Sequence, residues 1–118
     1  MQGIRGAITV EEDTKEMIFQ SVRLLVTDIC RMNRISSEDI GAAIFTATKD
    51  LTAAFPAAGA RELKGFDTVP LFDAQQMDVT DSLERCIRVL LLVNTDKKQN
   101  EIHHIYLGEA RGLRPDLR

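Results

Sequence analysis

Ile18, Val22, Leu25, Ile29 and Met32 recur through a segment otherwise rich in charged and polar residues. Apolar positions at this spacing share one face of a 3.6-residue helix, so the pattern predicts an amphipathic helix from Thr14 to about Met32. Asp13, with Glu16 three residues later, is the cap expected at its start. Elsewhere the apolar runs are shorter and richer in β-branched residues, which is the mark of strands. "IRGAITVEE" (4–12), "IGAAIFTAT" (40–48), "TVPLFD" (68–73), "RCIRVLLLVNTD" (85–96) and "IHHIYLGEAR" (102–111) are the five strand candidates. Pro70 marks the third as an edge or irregular strand. A short helix is expected within 50–65, with Pro56 near its start and Gly65 near its stop. Ser36 to Asp39 reads as a turn or a single helical turn.

The fold class is therefore α+β: a mixed β-sheet with one long and one short helix. One long helix covers only part of one sheet face. The continuous apolar run Leu90 to Val93 nevertheless implies burial on both faces. Other copies of the chain would supply the missing cover, so a homo-oligomer packed around an axis is expected.

The 118 residues suit one domain spanning 1–118, and 44% apolar with 28% charged residues is ordinary for a globular protein. A net charge of −3 argues against nucleic-acid binding, which needs a basic face. No apolar run approaches the roughly 20 residues that span a bilayer, and "MQGIRGAITVEED" lacks the apolar core of a signal peptide. No membrane association and a cytoplasmic location are expected. Cys30 and Cys86 lie in apolar segments and read as buried, reduced thiols.

The inventory of catalytic motifs is thin. His103 and His104 are adjacent and would face opposite sides of a strand, and no CxxC or HxxxH spacing occurs, so no metal site is expected. Neither a glycine-rich phosphate loop nor a GxSxG elbow is present. The arginines are more informative. Arg88 interrupts "CIRVLLLV", the most hydrophobic stretch of the chain, and Arg5 interrupts the first strand. Arg61 lies on the short helix, and Tyr106 is followed by Arg111 and Arg114. A guanidinium is expensive to bury unless an anion meets it, so cations on buried strands of a net-acidic chain suggest a pocket for a carboxylate. The plainer alternative is that each snorkels to solvent or pairs with one of the 18 acidic residues.

Six segments occur in an order that carries a resemblance: "GIRGAITVEEDT" (3–14), "FPAAGAREL" (55–63), "QQMDV" (75–79), "CIRV" (86–89), "HHIYL" (103–107) and "LRPDL" (113–117). Together they resemble the monofunctional, β-rich class of chorismate mutase over nearly the whole chain. The resemblance implies a homotrimeric pseudo-α/β barrel with sites in clefts between subunits. It also implies a Claisen rearrangement of chorismate to prephenate, on the route to phenylalanine and tyrosine. That reaction uses no cofactor, no metal and no covalent intermediate.

Carried over motif by motif, Arg88 faces the ether oxygen and a carboxylate of the substrate. Arg5 is a second carboxylate clamp, and Tyr106 donates a hydroxyl to the enolpyruvyl carboxylate. Phe55 and Ala57 line the wall with Leu71 and Phe72, and Leu113 sits near the mouth. Arg61 and Arg114 steer the dianion, and the C-terminal segment is expected to order when ligand binds. The chain departs from the family in reading "QQM" where "QEM" is usual, so Gln76 replaces a glutamate. Asp73 stands where a small residue is common, and Ala58 where some relatives carry a lysine at the rim. Asp73 is expected to supply the displaced charge beside Arg88, with Gln76 still accepting from the substrate hydroxyl. This requires an irregular strand or contributions from different subunits. The alternative function is a non-catalytic trimeric binding module for a small carboxylate. A deaminase of the similarly trimeric Rid type gains no support from these motifs.

Overall fold

The computed structural model describes residues 1–113. Its long helix, α1 (Lys15–Asn33), is capped by Thr14 rather than by Asp13: the Thr14 hydroxyl accepts from the Met17 N–H at 3.2 Å. Asp13 instead accepts from the backbone N–H groups of Thr52 and Ala53, each at 3.0 Å. Those two donors hold its carboxyl below the ordinary value of 3.8. Arg34 ends the helix in the left-handed region (φ 53°). Ile35 N–H donates to Cys30 C=O and Arg34 N–H to Arg31 C=O, the paired bonds of a Schellman turn. Of the face predicted from periodicity, Ile18, Val22, Leu25 and Ile29 are all inaccessible, whereas Met32, in the last turn, is exposed.

The strands are β1 (Gln2–Thr9), β2 (Ile40–Ala47), β3 (Leu71–Gln75), β4 (Cys86–Val93) and β5 (Ile105–Leu107), with α2 (Pro56–Arg61) between β2 and β3. They form one mixed sheet in the order β3-β2-β4-β1-β5. The central β4 runs antiparallel to β1 and β2, while β5 adds parallel to β1 and β3 parallel to β2. β3 is an edge strand, as Pro70 implied, and Pro70 C=O accepts the N–H of Ala43 just before the ladder.

Most elements are shorter than the sequence suggests, α2 and β5 the most. α2 covers 56–61 and stops short of Gly65: Glu62 N–H donates to Gly59 C=O and Leu63 N–H to Ala60 C=O, tight i→i+3 bonds that lead the chain out of the helix. Pro56 does open it. β5 begins only at Ile105, because buried Asn33 draws the His103 backbone aside: its Oδ1 accepts the His103 N–H and its Nδ2 donates to the His103 C=O, both at 2.8 Å.

Both helices lie on one face of the sheet. Gly6 lets α1 approach closely, since a Cβ there would stand 2.8 Å from the Ile29 side chain. α2 packs on α1 with Gly59 against Phe19. Along β4 burial alternates: Ile87, Val89, Leu91 and Val93 are buried under the helices, while Arg88, Leu90 and Leu92 are half-buried on the opposite, open face. The "continuous" apolar run thus serves two different faces, one filled by this chain's own helices and one that they leave open.

Candidate functional site

The register assigns every site residue to a face. Residues directly opposite one another across paired strands point the same way. One such row reads Tyr106, Ala7, Arg88, Thr46, Ala74 across β5, β1, β4, β2 and β3. The next row on the same face reads Arg5, Leu90, Ile44, Phe72. Arg88, Tyr106, Arg5 and Phe72 therefore share the open face. Between Arg88 and Tyr106 lies only the methyl group of Ala7, which is fully buried. The two long polar side chains flank a small-residue floor, which the chain's own side chains cover. The alternation of β1 places Ala7 two residues from Arg5 on the same face; this is the signal that would have identified the floor in the sequence. Cys86, Ala110, Leu83 and Leu113 pack around Ala7 and Tyr106 and close that end.

Among the described residues the charges on this face have no ion-pair partner. Arg88 is half-buried, and its Nε donates to Gln76 Oε1 at 3.1 Å. Among the described residues it has no carboxylate partner. The Tyr106 hydroxyl is buried without a hydrogen-bond partner among them. A half-buried cation held by a neutral amide, beside an orphaned phenol, is an arrangement prepared for an anion with acceptor oxygens. Arg5 is exposed on the neighbouring row.

Asp73 is elsewhere. It is opposite Phe45, which is opposite Val89, so it lies on the helix-covered face, across the sheet from Arg88. Its Oδ1 accepts from the Ala57 N–H in the first turn of α2 at 3.0 Å. Burial raises its carboxyl above 3.8, only partly offset by that N–H and by the charge of Arg61. Within one chain the expected Asp73–Arg88 pairing is thus absent, and the reason is the two-residue period of β3 and β4. Around Asp73 gather Phe55, which is 72% exposed at the start of α2, and exposed Arg61. Phe55, Pro56, Asp73 and Ala74 line a groove of about 560 Å³. Ala57 is buried, and the half-buried Ala58 and Leu71 pack partly against the same core. The site residues thus fall into two halves on opposite faces: Arg5, Arg88, Tyr106, Gln76, Phe72 and Leu113 in one, Phe55, Arg61 and Asp73 in the other. Arg114 and the rest of the C-terminal segment lie outside the described residues.

Other chemistry is not assembled. Among the described residues no three His, Cys, Asp or Glu side chains are grouped to hold a metal ion. Both cysteines are free thiols. Burial, with Asp39 nearby, pushes the Cys30 thiol up to about 11; burial also raises Cys86, against the lowering influence of Arg88. Neither is a ready nucleophile. No helix among the described residues is long and apolar enough to cross a membrane.

Comparison with known proteins agrees with this geometry. A curated chorismate mutase AroH from Thermus thermophilus is 53% identical over 118 residues, covering 99% of this chain and 96% of the relative. One from Bacillus subtilis is 47% identical over 117 residues, covering 99% and 92%. A solved chorismate mutase from Clostridium thermocellum superposes with a TM-score of 0.90 at 43% identity, over 93% of this chain and 97% of its own. The family model for chorismate mutase type I matches residues 1–117, and the chain belongs to that family.

Proposed function

We propose that this protein is a chorismate mutase that rearranges chorismate to prephenate in clefts between the subunits of a homotrimer, as a single catalytic domain working in the cytoplasm. The observation that carries the reading is Arg88, a half-buried guanidinium that meets the neutral amide of Gln76 and the Cys86 thiol but no carboxylate among the described residues. In this rearrangement a C–O ether bond breaks as a C–C bond forms, and negative charge builds on the ether oxygen. A fixed cation aimed at that oxygen stabilises the transition state more than the substrate. Tyr106 and Arg5, on the same face, take the two substrate carboxylates and hold the flexible arm over the ring. Gln76 accepts from the substrate hydroxyl while it orients the guanidinium. No proton transfer or covalent intermediate is needed, which suits a site without an activated nucleophile.

The division into two halves supports an intersubunit cleft. One ligand cannot touch both faces of a sheet, but the Phe55–Asp73 side of one copy can close over the Arg88 side of another. In that arrangement the Asp73 carboxylate, which the lone chain holds at a cost, gains a second cation beside Arg61. Free Cys30 and Cys86 suit the reducing cytoplasm.

Incubating the pure protein with chorismate, and following the loss of its ultraviolet absorbance with the appearance of prephenate, tests the reading. Turnover well above the uncatalysed rate is expected. Saturable binding of the dianion without turnover would instead establish the binding module that the glutamate-to-Gln76 departure allows.

A further inference from the structure

The exposed edge of β1 is completed by side chains where its neighbouring strand runs out. β5 pairs only with Gly6, Ala7 and Ile8. One rung earlier, the Arg5 N–H donates to His104 Nδ1 at 2.9 Å. A further rung along, Gln99 mimics a peptide group: its Oε1 accepts the Gly3 N–H at 3.1 Å and its Nε2 donates to the Gly3 C=O at 2.7 Å. The backbone just before His104 is itself fixed by Asn33, which is fully buried at the end of α1 and bonds both the N–H and the C=O of His103. A buried amide with these partners leaves residue 104 little freedom.

We infer that His104 is a positioning residue for Arg5: its Nδ1 holds the Arg5 backbone in sheet geometry and so aims the Arg5 guanidinium into the open-face site. The chain of contacts runs from Asn33 in α1, through the His103 peptide, to the His104 ring and the Arg5 N–H. Without the acceptor, β1 keeps its ladder to β4 but loses its anchor on the other side at the residue bearing the clamp. This role rests on the chorismate mutase reading, in which Arg5 grips a substrate carboxylate in ground state and transition state alike. Loss of uniform binding appears in KM and leaves kcat nearly unchanged.

The test is steady-state kinetics with chorismate on wild type, His104→Ala, His104→Leu, His104→Asn, Arg5→Ala and the His104→Ala/Arg5→Ala pair. His104→Ala and His104→Leu, which lack the acceptor, are expected to raise KM about three- to tenfold with kcat within about twofold of wild type. His104→Asn, whose Oδ1 occupies the place of Nδ1, is expected to restore KM to within about twofold. In the Arg5→Ala background the His104→Ala change is expected to add nothing, because the group it aims is gone. An unchanged KM in both acceptor-less variants, a failure of asparagine to rescue, or the same KM factor with and without the Arg5 side chain would overturn the role. If one acceptor-less variant does not fold, the other and His104→Asn decide. A wild-type protein with no turnover would overturn the underlying reading, and this role with it.

Discussion

Arg88→Ala lowers kcat/KM for chorismate by about a thousandfold or more while leaving the fold intact. Losing one donor aimed at a developing oxyanion typically costs about 2.7–4 kcal/mol, and a guanidinium in a water-poor cleft supplies charge as well as a hydrogen bond. The structure explains why the fold survives. Arg88 makes no ion pair among the described residues, and its bond to Gln76 joins it to a residue just beyond an edge strand. Its removal relieves a half-buried charge that no carboxylate among the described residues neutralises, so thermal melting is expected at or above the wild-type temperature. Arg88→Lys keeps the charge but not the planar fork, and is expected to recover only a minor part of the lost rate. Melting well below wild type would show that the side chain serves the fold instead.

The second large effect concerns Asp73. Asp73→Ala is expected to lower kcat/KM by about tenfold or more, because the charge it brings to a second copy's Arg88 disappears with it. Asp73→Asn keeps the hydrogen bond from the Ala57 N–H and is expected to lose nearly as much, since the charge and not the bond is at issue. Adding Gln76→Glu to Asp73→Asn puts a carboxylate where Arg88 Nε already has its partner at 3.1 Å and should restore most of the loss. A loss under threefold in Asp73→Ala sinks the compensation. The pH dependence follows from the same geometry. Activity is expected to need the ionised carboxylate, which is present above its pKa and lost as pH falls through it. Burial raises that pKa above 3.8. That rise belongs to the lone chain; a second copy's Arg88 opposes it, so the assembled enzyme is expected to keep its activity to a lower pH than the same buried aspartate without the cation would allow.

Arg88 shows how far the sequence carries the account. A cation inside an apolar strand is visible without any structure, and so is the period that buries α1. Face assignments were not visible for Asp73 and Arg88, because they depend on register, and register depends on how five strands pair. Only with Phe45 between Asp73 and Val89 does the division of the site become a consequence of strand geometry. The cap was misplaced by one residue because Asp13 and Thr14 are both good caps, and the choice turned on the distant Thr52 and Ala53 N–H groups. His104 and Gln99 were beyond reach for a similar reason: their partners in β1 lie about a hundred residues away.

The central claim is that each site is built from two copies, and subunit mixing tests it most directly. Arg88→Ala and Asp73→Ala damage opposite halves. Co-refolding them in equal amounts lets a chain with intact Arg88 meet a chain with intact Asp73 at about one interface in four. Activity near a quarter of wild type is expected, well above the average of the two variants alone. Activity no greater than that average would place Arg88 and Asp73 in the same chain's site and contradict the account.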